Sequence, residues 1–117
     1  MTEIAIEELA ARLGEVAILD VRSSHEYDGS LGQPCDPRQG HIPGARHVDV
    51  YELMQLDTSQ IDAALGIDPG GEVIAYCHSG SRSAIATQML RALGYNARNY
   101  VGSWHEWSRH DDLPLEN

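Results

Sequence analysis

The sequence predicts an α/β domain whose helices are layered on a mainly parallel sheet. Two apolar runs, Val16–Val21 and Val73–Cys77, read as buried strands. Helix-like segments alternate with the strand-like runs, which is the order of a parallel sheet with crossover helices. Glycines stand where those helices should stop, at Gly66 and Gly94.

The elements follow in order. Residues 6–13 read as a first helix, with Glu7 and Glu8 in the N-terminal turn, where the helix dipole favours acids. The Val16–Val21 strand runs into Asp20-Val21-Arg22. A short helix start follows, capped by Ser23 or Ser24. Residues 28–40, rich in Gly, Pro and Asp, read as a long surface loop. Ile42-Pro43-Gly44 is a turn, residues 45–48 a short strand, and residues 59–65 a helix. Asp68-Pro69-Gly70-Gly71 turns the chain into the strand ending at Cys77. Residues 82–93 are a helix and residues 97–101 a last strand. Gly102 then leads into a helical turn holding Trp104 and Trp107, which are expected to pack.

Ligands of such sheets bind beyond the carboxyl ends of the strands. Cys77 and Asp20–Arg22 both lie there and are expected to converge on one site. Cys77 sits in a strand-to-helix turn, His78-Ser79-Gly80-Ser81-Arg82. Backbone N–H groups of such a turn can point inward, and the helix N-terminus adds positive potential. Both favour a thiolate. A cysteine after a strand is often just a small buried apolar group, but the glycine-containing loop favours a nucleophile. Arg82 can either brace the loop or contact substrate. Asp20 and Arg22 read as a strand-end ion pair supporting the neighbouring loops. His41 is expected to bond backbone in its turn.

The bulk numbers narrow the function. Residues 1–117 fit one domain, long enough to bury a core without staples. The net charge of −10 makes nucleic acid and anionic membrane poor partners. No apolar run approaches a membrane span. The acidic start, Met1-Thr2-Glu3-Ile4, does not resemble a secretory leader, so a cytoplasmic location is expected. The chain has no Lys, which excludes a lysine nucleophile. Its two cysteines, Cys35 and Cys77, form no CxxC pair, and the histidines show no metal-ligand spacing, so neither metal nor cofactor is expected. Nothing in the sequence brings Cys35 near Cys77, and it reads as a surface residue.

Five segments, taken together and in order, resemble a known family. They are Leu19-Asp20-Val21-Arg22, Gly40-His41-Ile42-Pro43-Gly44-Ala45, Cys77-His78-Ser79-Gly80-Ser81-Arg82-Ser83, Leu93-Gly94-Tyr95, and Gly102-Ser103-Trp104-His105-Glu106-Trp107. Over nearly its whole length the chain resembles a single-domain rhodanese, a sulfurtransferase. The resemblance implies a central, mainly parallel five-stranded sheet with helices on both faces. It also implies that Cys77 takes sulfane sulfur from a small donor such as thiosulfate, forms a persulfide, and yields the sulfur to cyanide or a thiol. A sulfur-acceptor protein is a further partner it admits. His78, Ser79, Gly80, Ser81 and Arg82 would line the site, with Asp20 and Arg22 as supports.

Related phosphatases and arsenate reductases place five residues between cysteine and arginine. Here there are four, His78 to Ser81, and the tighter ring suits a single sulfur. A non-catalytic, partner-binding module is the alternative, and the intact Cys77 argues against it. Tandem-domain sulfurtransferases often carry an arginine where this chain has Glu26, which removes an anion-binding group; His78 can supply partial positive charge.

Overall fold

The computed structural model describes residues 2–117. Ten elements follow one another: α1 (Ile6–Ala11), β1 (Ala17–Asp20), α2 (Ser24–Asp28), β2 (Arg46–His47), α3 (Val50–Leu53), α4 (Thr58–Leu65), β3 (Glu72–Tyr76), α5 (Ser81–Ala92), β4 (Asn96–Asn99) and α6 (Ser103–Trp107). The strands form one sheet in the order β2-β1-β3-β4, with every pairing parallel.

The sheet is buried on both faces because side chains alternate along each strand. From β3, Val73, Ala75 and then Cys77 face one apolar cluster, shared with Leu53 of α3, Ile61 and Leu65 of α4, and Ala86 and Leu90 of α5. Ile74 and Tyr76 face the other, with Ile6 and Leu9 of α1 and Trp104 and Trp107 of α6. The helices therefore lie on both faces, as expected. Both tryptophans are fully buried, and their indole N–H groups donate to the Arg38 and Pro114 carbonyls, so the wet end of each ring is satisfied.

The sheet has four strands rather than the five expected. In the fifth place, beside β4, Glu3 makes a single parallel bridge to Asn99, held by Ile4 N–H to the Asn99 carbonyl (3.1 Å) and Asn99 N–H to the Thr2 carbonyl (2.6 Å). The chain turns into α1 at Ile6, so too few residues remain to extend the pairing. Other boundaries move by a few residues. The first helix stops at Ala11 rather than Leu13. Ser23, not Ser24, is the cap of α2, closing a capping box with Glu26. α3, a single turn capped by Asp49, is too short to show a periodicity and was not predicted.

Residues 28–40 contain no helix or strand, as expected, but they do not simply lie on the surface. Arg38 donates to the carbonyls of Trp107, Ser108, His110 and Leu113. Asp36 is buried. This loop is therefore strapped to the C-terminal segment, across the carboxyl end of the sheet.

Candidate active site

Cys77 follows the last residue of β3, the central strand, and its Sγ lies at the N-terminus of α5. The residue is fully buried (0 % exposed), but its sulfur is not in an apolar shell. Gly80 N–H donates to Sγ at 3.1 Å and the Ser83 hydroxyl at 3.4 Å. Burial pushes the Cys77 thiol up. The opposing donors, the Ser83 hydroxyl with the N–H groups of Ser83, Gly80 and Ser79, outweigh it, so the thiol sits below its ordinary range.

The loop has this shape because Gly80 adopts φ +99°, a left-handed conformation that L side chains rarely take. A Cβ there would lie 2.8 Å from the Val101 carbonyl oxygen. Gly80→Ala is expected to cost about 1–3 kcal/mol and to raise the pH at which Cys77 is alkylated. An alkylation profile that matches wild type would show that the Gly80 amide does not set the thiol's acidity.

The loop is also braced from below. Ser103 Oγ accepts from Cys77 N–H (3.1 Å) and donates to the Tyr100 carbonyl (2.8 Å). Trp104 N–H and His105 N–H donate to the carbonyls of Cys77 and His78, each at 2.9 Å. Ser103 is itself at φ +55°, the one non-glycine residue with positive φ among the described residues. Strain of this kind persists where surrounding contacts over-determine it. Neither Ser83 nor Ser103 was picked out by the sequence reading. Both stand inside the segments that carry the family resemblance, and that was the available signal.

Arg82, left open between two roles, is held by a carboxylate. Its Nη1 and Nη2 donate to Glu26 Oε1 (2.8 Å) and Oε2 (3.1 Å) in a fork. Burial pushes the Glu26 carboxyl up, but Arg82 and the Ser23 N–H and hydroxyl prevail and hold it at about 2. A carboxyl depressed in the folded state stabilises that state above its unfolded pKa, about 4.5, and the gain is lost as pH falls toward 2. Glu26→Gln is therefore expected to flatten the loss of stability on acidification across that window, read by chemical denaturation at a series of pH values. A slope equal to wild type would mean that another carboxylate controls acid unfolding.

Asp20 and Arg22 form the strand-end pair. Arg22 Nη2 lies 2.7 Å from Asp20 Oδ2, Nε contacts both carboxylate oxygens at 3.1 Å, and both side chains are almost completely buried. Arg22 Nη2 also donates to the Gly40 carbonyl (2.6 Å), and the guanidinium lies 5.5 Å from the Tyr76 ring centroid and 5.1 Å from that of Trp104. The pair thus ties the end of β1 to the Gly40 turn and touches aromatic groups under the site. His41 accepts or donates at the Tyr27 carbonyl through Nδ1 (2.7 Å) and stacks on the Tyr27 ring, a backbone role as expected.

Cys35 departs from expectation. Strapping by Arg38 brings its Sγ to 3.8 Å from His78 Nε2, beside the Cys77 loop. Both cysteines are free thiols. A cleft of about 340 Å³ opens elsewhere, lined by Gly14, Val16, Pro43 and Arg46 among others, and offers no thiol, imidazole or hydroxyl.

A buried thiol receiving amide and hydroxyl donors at the head of a helix, on the central strand of a parallel sheet, is what comparison with known proteins also finds. The chain is 35% identical over 121 residues to a thiosulfate sulfurtransferase of Pseudomonas aeruginosa, matching 94% of this chain and 44% of that protein. It is 36% identical over 119 residues to the thiosulfate sulfurtransferase of Azotobacter vinelandii, matching 92% and 43%. The chain thus spans less than half the length of these curated relatives. A crystal structure of a probable thiosulfate sulfurtransferase superposes with a TM-score of 0.84 at 42% identity, covering 99% of this chain and 48% of that one. A structure of EanB with a cysteine persulfide, in a tetrahedral intermediate state with ergothioneine, superposes with a TM-score of 0.88 at 27% identity, covering 99% and 28%. The model of the rhodanese-like domain matches residues 5–110, and with the Cys77 loop and its sheet in place the chain belongs to that family.

Proposed function

We propose that this chain is a sulfurtransferase domain that moves sulfane sulfur from a donor such as thiosulfate to cyanide or a thiol through a persulfide on Cys77. The observation that carries the reading is the pair of donors, Gly80 N–H and Ser83 O–H, aimed at Cys77 Sγ. The thiolate attacks the outer sulfur of thiosulfate. An Sγ–S bond forms, the S–S bond to the sulfonate breaks, and sulfite leaves with the electron pair. The acceptor then attacks the terminal sulfur, and Cys77 departs as the thiolate that the loop stabilises. Neither half-reaction needs an outside oxidant or a proton donor.

In this reading the loop from His78 to Arg82 binds the transferred sulfur. The Ser79 and Gly80 amides and the Ser83 hydroxyl hold the thiolate first and the persulfide anion second, as fixed dipoles that need no reorganisation. Arg82 adds positive potential while bound to Glu26. Its fork is already spent on that carboxylate, which disfavours clasping a phosphoryl oxyanion and argues against a phosphatase. Asp20 and Arg22 support the loops around the site. Relatives called thiosulfate sulfurtransferases support thiosulfate as donor. Among the described residues no helix is long and apolar enough to cross a membrane, and the two free thiols suit a reducing compartment such as the cytoplasm.

Intact mass spectrometry after exposure to thiosulfate, mercaptopyruvate or polysulfide, one at a time, tests the proposal. The expected result is a gain of one sulfur atom with at least one donor, removed again by cyanide. No adduct with any of the three would overturn the catalytic reading in favour of a partner-binding module.

A further inference from the structure

Next to the Cys77 loop, four side chains from three segments meet: Cys35 and Asp36 of the strapped loop, His78 of the active-site loop, and His105 of α6. One ligand atom from each lies within 4.8 Å of the others. Asp36 Oδ1 is 3.2 Å from His78 Nε2, 3.5 Å from His105 Nδ1 and 3.7 Å from Cys35 Sγ, and Cys35 Sγ is 3.8 Å from His78 Nε2. Around a tetrahedral zinc with bonds of about 2.0–2.3 Å, ligand atoms are separated by about 3.3–3.8 Å. These spacings match without rebuilding the backbone.

A second observation points to a ligand independently. The Asp36 side chain is only 1 % exposed, and its Oδ2 makes no hydrogen bond. That oxygen lies 3.1 Å from His78 Nε2, but not in hydrogen-bonding direction. A buried carboxylate oxygen left unbonded is costly, and a cation at the centre of the cluster would satisfy it. Arg109 provides the outer support. It donates to Asp36 Oδ1 (3.1 Å) and to the carbonyls of Cys35 (2.7 Å) and His105 (2.6 Å), fixing three of the four ligand residues.

We propose that Cys35, Asp36, His78 and His105 form a binding site for a borderline-soft divalent cation of the zinc class. One thiolate, two imidazoles and one carboxylate suit zinc, cobalt or cadmium and do not suit magnesium or calcium, which take oxygen shells. With Arg109 offsetting Asp36, the Cys35 thiolate leaves a single negative charge to meet the dication. Binding displaces the Cys35 thiol proton to solvent. The ion would link the strapped loop, α6 and the residue directly after Cys77. The site does not depend on the sulfur-transfer reading, because Cys77 is not among its ligands.

Titration of the reduced full chain with cobalt(II) alone, monitored by absorption, tests this. The expected result is one cobalt per chain, a thiolate-to-cobalt charge-transfer band in the near ultraviolet, tetrahedral visible bands, and bleaching by zinc. Cys35→Ser should abolish the near-ultraviolet band. Because even an outer-shell partner is worth about 10–100-fold in metal affinity, His105→Ala, an exposed change that the fold tolerates, should weaken binding at least about tenfold. Cys77→Ser should leave the spectrum unchanged. The proposal fails if millimolar cobalt gives no band, if the band survives Cys35→Ser, if His105→Ala binds as wild type, or if the band disappears in Cys77→Ser.

Discussion

Cys77→Ser is expected to lower sulfur-transfer turnover by at least about 10³-fold and to eliminate the sulfur adduct in the intact mass. The change should move the unfolding midpoint by no more than about 5 °C. The replacement differs by one atom. A serine Oγ can still accept from Gly80 N–H and sit beside the Ser83 hydroxyl, so the hydrogen bonds that shape the loop persist. What disappears is a nucleophile that ionises under ordinary conditions and forms a stable bond to sulfane sulfur. A serine hydroxyl in the same cradle has a far higher pKa and cannot hold a persulfide. Turnover near wild type in this variant would place the transferred sulfur on another atom and undo the mechanism. The paired thermal measurement separates that outcome from simple misfolding.

Asp20→Ala is expected to be the most destabilising single change outside the apolar core, by about 3–5 kcal/mol. Both members of the Asp20–Arg22 pair are buried. Removing the carboxylate leaves the guanidinium with the Gly40 carbonyl and two aromatic faces, but with no counter-charge. A domain of this size has only about 5–15 kcal/mol in total, so the loss is a large share. Replacing both members with apolar residues of similar volume should recover much of it, since the cost comes from the orphaned charge rather than from the missing bond. Urea denaturation of the single and double variants gives the comparison. A loss under about 1 kcal/mol for Asp20→Ala would mean that water reaches Arg22 and that the pair is not a structural tie.

The sequence alone was enough for much of this protein. Apolar strand runs alternating with helical segments implied the parallel sheet, because a strand buried on both faces needs apolar side chains on both. The cysteine before a glycine loop and a helix implied the thiolate site, because those features are local: Gly80 is three residues from Cys77, and Ser83 is six. The Ser23 cap and the Gly66 and Gly94 stops were legible for the same reason. The fifth strand was not reduced to a bridge in that reading, since where pairing ends depends on how soon α1 begins.

Only the tertiary structure could decide the contacts that join distant residues. Glu26 and Arg82 are separated by 56 residues, Cys77 and Ser103 by 26, and Cys35 and His78 by 43. Each of these residues reads locally as something ordinary: a helix-capping acid, a turn serine, a surface thiol. Their roles arise because the parallel crossovers deliver every strand's carboxyl end to one side of the sheet, and because Arg38 straps the 28–40 loop across that side. Local pattern encodes which backbone conformation a segment prefers. Which side chains then become neighbours depends on how the two apolar faces of the sheet are covered, and that is settled by packing over the whole chain.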